Sequence, residues 1–263
     1  MKSTAAPLRV ALGEYDIGWQ ETAASLDRAS AIVAAAARSG TRLVVLPEMC
    51  TTGFTMDADF AESLEGESVT QLSNMASQSN VWLLAGVATR DPDPLTRTAK
   101  NSALMFSPDG ALAAVYHKQR LFAYANEQRS YMGGDQPVVM DVDGVRVSPF
   151  ICYDLRFPEL FRAVAAETDL IVVIASWPAA RRAHWDALLQ ARAIENQCYV
   201  IGVNRIGVGD SIVYDGGSAA YDPWGIPLDR SIVPGTADIA SVSVSPGEVG
   251  RVRGAYPFLA DRR

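Results

Sequence analysis

Apolar and polar positions along the chain change period several times, and those changes predict its elements. Residues 8–12 and 42–46 are short apolar runs that read as strands, the second halted by Pro47. Between them residues 20–39 are alanine-rich, with Leu26, Ala29, Val33, Ala36 and Ala37 on one helical face and Gly40 placed as a C-terminal stop. Strand, helix and strand at this length predict a βαβ-like start and an α/β class. A second helix is expected over 69–79 and a third strand over 81–87. Pro and Asp make 91–97 a loop.

Hairpin signals then interleave. Residues 101–106 and 112–117 flank Ser107-Pro108-Asp109-Gly110, and 138–142 and 145–150 flank Asp143-Gly144, a strong turn pair. Between the two hairpins, 123–137 is polar and reads as an irregular loop. Helices are expected over 159–167 and 183–196, and strands over 170–175 and 198–203. A hairpin around Asp222-Pro223-Trp224-Gly225 and an alternating strand over 236–244 follow, and 246–263 reads as an arm across the surface. Without a linker or a repeat, the chain reads as a single domain over 1–263, with mixed rather than purely parallel sheets.

Chemistry concentrates where apolar runs end. The run 147–151 delivers Cys152, and Asp154, Arg156 and Glu159 follow as the direction changes. In α/β proteins ligands sit at the C-terminal ends of strands. A thiol near a helix start can have its pKa lowered from about 8.5 and act as a nucleophile. The alternative is a buried structural cysteine. Glu48 stands just past the second strand and Lys118 closes the strand 112–117. Alternation sends His117 and Lys118 to opposite faces, so they do not share a task. Thiol, carboxylate and ammonium divide the labour of acyl transfer into attack, proton shuttling and oxyanion stabilisation.

Composition narrows the setting. A net charge of −7 excludes a phosphate-binding nucleic-acid surface. Three cysteines, at 50, 152 and 198, lack CxxC spacing and suit reduced thiols better than disulfides or zinc. No apolar run reaches the roughly 20 residues that span a bilayer, and residues 1–6 lack the pattern of a signal peptide. The expectation is a cytoplasmic protein with no membrane or nucleic-acid partner.

Leu46-Pro47-Glu48, Tyr116-His117-Lys118 and the run Cys152-Tyr153-Asp154-Leu155-Arg156-Phe157-Pro158-Glu159 resemble the motifs of the nitrilase, or carbon–nitrogen hydrolase, superfamily. Asn101-Ser102, the stretch 191–196 and Gly217-Ser218 extend the resemblance over essentially the whole chain. Within the superfamily, Thr51-Thr52-Gly53-Phe54, Trp177-Pro178 and His184-Trp185 look most like the omega-amidases, which cleave monoamides of dicarboxylic acids such as 2-oxoglutaramate and 2-oxosuccinamate.

The resemblance implies a four-layer α-β-β-α sandwich with two mixed sheets, no metal and no cofactor, and a homodimer or larger homo-oligomer. It makes Cys152 the nucleophile, Glu48 the general base and Lys118 the oxyanion cation. The Tyr153 backbone N–H becomes the second oxyanion donor and Glu127 the additional glutamate near the lysine. Arg156 would meet the distal carboxylate of a small-molecule amide substrate, with Phe54 and Trp177 excluding water. Arg120 is counted with the substrate-binding residues although it departs from the pattern, since omega-amidases usually carry His two positions after the lysine. From the residues alone, Glu127 also reads as a solvated loop residue, Arg156 as a brace for Asp154 or Glu159, and Trp177 as core. Two alternatives stay open: an N-carbamoyl amino acid or amine amidohydrolase, and a catalytically silent small-molecule binder.

Overall fold

The computed structural model describes residues 6–91, 98–236 and 239–262. Most of the expected 91–97 loop, the first residues of the chain and part of 236–244 lie outside them. In chain order the elements begin with β1 (Leu8–Leu12), α1 (Thr22–Arg38), β2 (Leu43–Val45), α2 (Glu67–Ser79), β3 (Trp82–Arg90), β4 (Ala99–Phe106) and β5 (Leu112–His117). There follow α3 (Glu127–Ser130), β6 (Met140–Val142), β7 (Val145–Ile151), α4 (Pro158–Val164), β8 (Leu170–Ile174), α5 (Arg182–Asn196) and β9 (Tyr199–Val203). The chain closes with β10 (Ile206–Gly209), β11 (Ile212–Asp215), β12 (Ala219–Tyr221), β13 (Ser231–Ile232), β14 (Ala240–Val244) and α6 (Pro246–Ala255).

Two mixed sheets result. A seven-stranded sheet runs β13-β14-β1-β2-β3-β4-β5 and a five-stranded sheet runs β12-β9-β8-β7-β6. The period of two along each strand divides the core. Val10, Leu12, Leu43, Val45, Leu84 and Tyr116 point between the sheets and join Val147, Phe150 and Val172 of the other sheet. Ala11, Val44, Leu83 and Ala85, on the opposite face, pack on Leu26, Ile32 and Val33 of α1 and Leu72 of α2. Trp185 and Leu189 of α5 and Phe161 of α4 cover the outer face of the smaller sheet. The layers are therefore α-β-β-α. β8 is buried at all five positions, as a parallel strand covered on both faces must be.

Several expectations shift. The 123–137 loop holds a 3-10 turn (Ala123–Ala125) and the short helix α3, which starts on Glu127. The hairpin β10–β11 was not expected, because Gly207 and Gly209 weaken its strand pattern. The C-terminal stretch begins as a helix, α6. Three glycines at 247, 250 and 254 hide it in the sequence, while Pro246 in its first turn, buried Val249 and Val252, and Arg253 bonded to the Gln197, Thr168 and Asn196 carbonyls hold it in place.

Candidate active site

Glu48 is positioned by a close crossing of backbones. The Gly86 N–H in β3 donates to the Pro47 carbonyl at 3.1 Å, and the Cys50 N–H donates to Gly86 O at 2.8 Å. A Cβ on Gly86 would sit 2.6 Å from Glu48 Cα and 2.6 Å from Pro47 O, so only glycine lets the loop lie on the strand. The carboxylate is held at both oxygens. Oε1 accepts from Lys118 Nζ at 2.9 Å and from Asn101 Nδ2 at 2.8 Å, and Oε2 accepts from the Ser176 N–H at 2.8 Å.

Lys118 leaves the end of β5 and enters this cluster fully buried. Its ammonium also donates to both oxygens of Glu127, at 3.0 and 2.9 Å, and lies 4.9 Å from the centre of the Phe54 ring. Glu127 accepts further bonds from Asn101 Nδ2 at 3.0 Å and from the Phe122 N–H at 2.6 Å. Burial works against the ammonium, yet Glu127 and Glu48 outweigh it and raise its pKa well above the ordinary lysine value. The group is thus a fixed cation flanked by two carboxylates, with all three side chains withdrawn from water.

Cys152 follows β7 and opens a 3-10 helix, Cys152–Arg156, with φ at +45°. A non-glycine residue in that region stores roughly 1–3 kcal/mol of strain, a feature that concentrates at functional turns. The helix start leaves the Tyr153 N–H without an intrahelical acceptor. Sγ lies 4.0 Å from the Ser176 carbonyl, so the Ser176 backbone touches both the thiol and Glu48. The lowered thiol pKa expected from a helix start is reversed. Burial, then the Glu48 charge, push the Cys152 thiol well above its ordinary value, and Lys118 offsets this only in part. Burial and the Glu48 charge therefore favour the protonated thiol over the thiolate.

Asp154 ties this turn to the lysine. It is fully buried and accepts from the Ile151 N–H at 3.0 Å and the Tyr116 hydroxyl at 2.8 Å through one oxygen. Its other oxygen accepts from the Gln119 and Arg120 N–H groups at 3.2 and 2.8 Å. Burial raises its pKa from 3.8 to about 6, against the opposing pull of those donors and of Lys118. Arg192 of α5 adds a bond to Leu155 O at 2.6 Å, which anchors the far side of the turn.

Above the thiol lies a cavity of about 500 Å³. Phe54, Phe122, Tyr153, Trp177 and Tyr214 form aromatic walls. Arg156 and Arg181 are its two basic lining residues, and Asp210, at the tip of the β10–β11 hairpin, is its acidic one. Trp177 is pinned by Asn204, which accepts from the Trp177 N–H at 2.7 Å and donates to its carbonyl at 3.0 Å.

The fold thus brings Glu48, Lys118, Glu127 and Cys152 together and places Tyr153, Arg156, Phe54 and Trp177 on the cavity. Arg120 is a correction. It is absent from the lining, its guanidinium lies 3.6 Å from Glu159 and 5.5 Å from the Phe157 ring centre, and only its N–H serves the site, through Asp154. Arg156 braces neither Asp154 nor Glu159. It lies 3.1 Å from His184 Nδ1 and 4.9 Å from the Trp177 ring centre. His117 bonds Ser102 across the β4–β5 pair at 2.8 Å, and burial with nearby Lys100 lowers its pKa to about 4. Sequence reasoning missed the bridging role of Asn101, the Ser176 N–H, and the contributions of Phe122, Arg181 and Tyr214. Asn101 within the largely apolar β4, and Ser176 just past the apolar run of β8, were the available signals. Among the described residues no group of three or more His, Cys, Asp or Glu is placed to hold a metal, and no helix is long and apolar enough to cross a membrane.

A buried carboxylate–ammonium pair beside a strained cysteine, on a four-layer sandwich, defines a thiol-dependent hydrolase class. The carbon-nitrogen hydrolase family matches residues 9–254, and the chain belongs to that family. It is an enzyme that hydrolyses amide carbon–nitrogen bonds. Among its relatives, omega-amidase YafV of Yersinia enterocolitica is 37% identical over 83% of this chain and 83% of its own. The 2-oxoglutaramate amidase of Bacillus subtilis (strain 168) is 30% identical over 95% of each. The solved structure of XC1258 from Xanthomonas campestris, a CN-hydrolase superfamily protein with an arsenic adduct in its active site, superposes with a TM-score of 0.89 at 32% identity, covering 98% of this chain and 97% of that one.

Proposed function

We propose that this enzyme cleaves the terminal amide of short dicarboxylic acid monoamides, of the 2-oxoglutaramate or 2-oxosuccinamate type, to acid and ammonia through a thioester on Cys152. The observation that carries the reading is a cationic, aromatic-walled cavity directly above the thiol, with Arg156 held at its wall by His184 and Trp177. A guanidinium there matches a carboxylate a few carbons from the scissile carbonyl, in two parallel bonds. The names of the relatives support the same substrate class.

The chemistry follows from the geometry. Glu48 takes the thiol proton as Sγ attacks the amide carbonyl, which suits a thiol whose pKa is raised by burial and by the Glu48 charge. Lys118 and the Tyr153 N–H hold the tetrahedral oxyanion, and Glu48 hands the proton to the departing ammonia. Glu48 next takes a proton from water, whose oxygen attacks the thioester, and the carboxylic acid leaves as Cys152 regains its proton. Glu127 keeps Lys118 charged and fixed, and Asn101 locks both carboxylates. Removing one oxyanion donor typically costs about 10²–10³ in rate.

Rapid quench and mass spectrometry after mixing with 2-oxoglutaramate test this reading. An acyl adduct on the Cys152 peptide is expected, and Cys152→Ala should abolish both adduct and ammonia release. A folded Cys152→Ala protein that turns over at the wild-type rate refutes it. A panel that adds N-carbamoyl amino acids checks the substrate class. The same reading carries a cytoplasmic enzyme working as at least a homodimer. An exposed apolar strip at and beside α5, formed by Ile194, Trp224 and Ile226, supports a subunit contact, and a monomeric mass in light scattering at micromolar concentration counts against it.

A further inference from the structure

Arg181 has no role in the chemistry above, yet it lines the same cavity as Cys152. It closes the 3-10 turn Ala179–Arg181, whose position is fixed by the Arg181 N–H donating to Pro178 O at 3.0 Å. Its carbonyl accepts from the Trp177 indole N–H at 2.8 Å. Arg156 lies over the ring of the same tryptophan, so Trp177 touches one arginine through its guanidinium and the other through its backbone carbonyl. The Arg181 guanidinium is 5.3 Å from the Phe122 ring centre, and the Phe122 N–H is bonded to Glu127.

Arg181 combines a place on the cavity wall with the lack of an ion-pair partner among the described residues. The chain carries 30 acidic against 23 basic residues, and the adjacent Arg182 has two acid partners, Asp186 at 2.9 Å and Asp215 at 3.6 Å. Among the described residues no carboxylate lies within ion-pair distance of either Arg181 or Arg156. Both are half-buried at a cavity wall. A guanidinium that is partly desolvated and resting on an aromatic face is completed by an anionic ligand. One arginine is enough for a simple carboxylate, whose two oxygens match one guanidinium fork. A 2-oxo acid presents three oxygens that can lie in one plane, and the third calls for a second planar donor.

We propose that Arg181 is the second guanidinium of the substrate pocket, and that with Arg156 it holds the three-oxygen head of a 2-oxo acid amide. The inference rests on the substrate reading above and deepens it by naming the residue that reads the oxo group beside the carboxylate. Arg181 is accordingly a specificity-determining residue rather than a member of the proton-transfer set.

The test compares kcat/KM for 2-oxoglutaramate, glutaramate and the neutral pentanamide. In the wild-type enzyme the order of preference should follow that sequence. Arg181→Gln should lower the ratio of 2-oxoglutaramate to pentanamide about tenfold or more, chiefly through KM, and narrow the gap between 2-oxoglutaramate and glutaramate. Arg181→Lys should restore the charge effect but not the oxo preference, because an ammonium lacks the planar fork. Footprinting of the native enzyme with phenylglyoxal serves should Arg181→Gln not fold: 2-oxoglutarate should shield the Arg181 peptide more than glutarate does. Unchanged ratios within about twofold in a folded variant, or equal shielding by both diacids, overturn the role of Arg181. A wild-type enzyme that treats all three amides alike overturns the substrate reading itself, and this inference with it.

Discussion

Asp154→Asn separates the electrostatic and positional parts of the site. The side chain accepts four bonds, two at each oxygen, and three of the donors are backbone N–H groups that cannot reverse. An asparagine must turn its NH₂ toward one pair. Facing Ile151 and Tyr116 is the better choice, since the hydroxyl can rotate to accept, and one buried N–H is then left unpaired. Losing one bond to a charged acceptor and stranding that donor costs about 2–4 kcal/mol. Against this, the variant no longer buries an ionised group. The folded pKa of about 6 lies above the ordinary 3.8, so the native state binds the proton more tightly and its stability falls as pH rises through that window. The full span corresponds to about 3 kcal/mol, of which about 1.4 kcal/mol falls between pH 5 and 7.5. At pH 7.5 the two effects nearly cancel, and the variant should match wild-type stability to within about 2 kcal/mol. Its turnover should not survive so well. Asp154 links the Cys152 turn to the backbone following Lys118, and a displacement of about 1 Å between nucleophile and oxyanion cation can cost about 10²-fold in rate. Urea unfolding at pH 5 and 7.5 with kcat measured across pH checks both halves. The variant should lose the stability slope, and kcat should drop with KM little changed. Wild-type kcat together with a wild-type acid limb in the folded variant would show that Asp154 neither positions the site nor titrates in it.

Removing charge beside the thiol should uncouple its reactivity from turnover. Glu48→Gln takes away the largest charge that raises the Cys152 pKa, so alkylation by iodoacetamide should set in at lower pH while amide hydrolysis is lost; an unshifted alkylation profile would contradict the electrostatic account. Gly86→Ala forces a Cβ against the Glu48 backbone and should cost about 1–3 kcal/mol in chemical denaturation together with much of kcat. Retained stability and activity would mean the strand and loop can part freely. Arg156→Lys should lower kcat/KM for a carboxylated amide about tenfold or more relative to a neutral one, the scale of a charge-assisted bond of roughly 1.5–3 kcal/mol; equal losses on both substrates would make Arg156 a brace.

The sequence by itself determined the α/β class with mixed sheets and the cast of the chemistry, while the four layers were implied only by the family resemblance. Period-two runs such as Leu43–Val45 and the period of α1 are local properties, and they specify which face each residue turns to the core. Turn chemistry is equally local: Asp143 and Gly144 adopt the positive φ angles, 51° and 87°, that their residue types favour. Glu48, Lys118 and Cys152 were legible because each follows an apolar strand. Their distances were not, since Glu48 and Lys118 are 70 residues apart and meet at 2.9 Å only because β2 and β5 share a sheet. Burial also stayed hidden. Glu127 sits in a polar stretch that reads as solvated, yet the fold encloses it completely, and the same enclosure raises the thiol pKa that a helix start alone would lower. Arg120 and Arg181 look alike in sequence, but packing turns one to Glu159 and leaves the other on the cavity without an acid partner among the described residues. Periodicity acts over one or two neighbouring residues. Desolvation and charge pairing act across the closed sandwich, and so only the tertiary structure decided them.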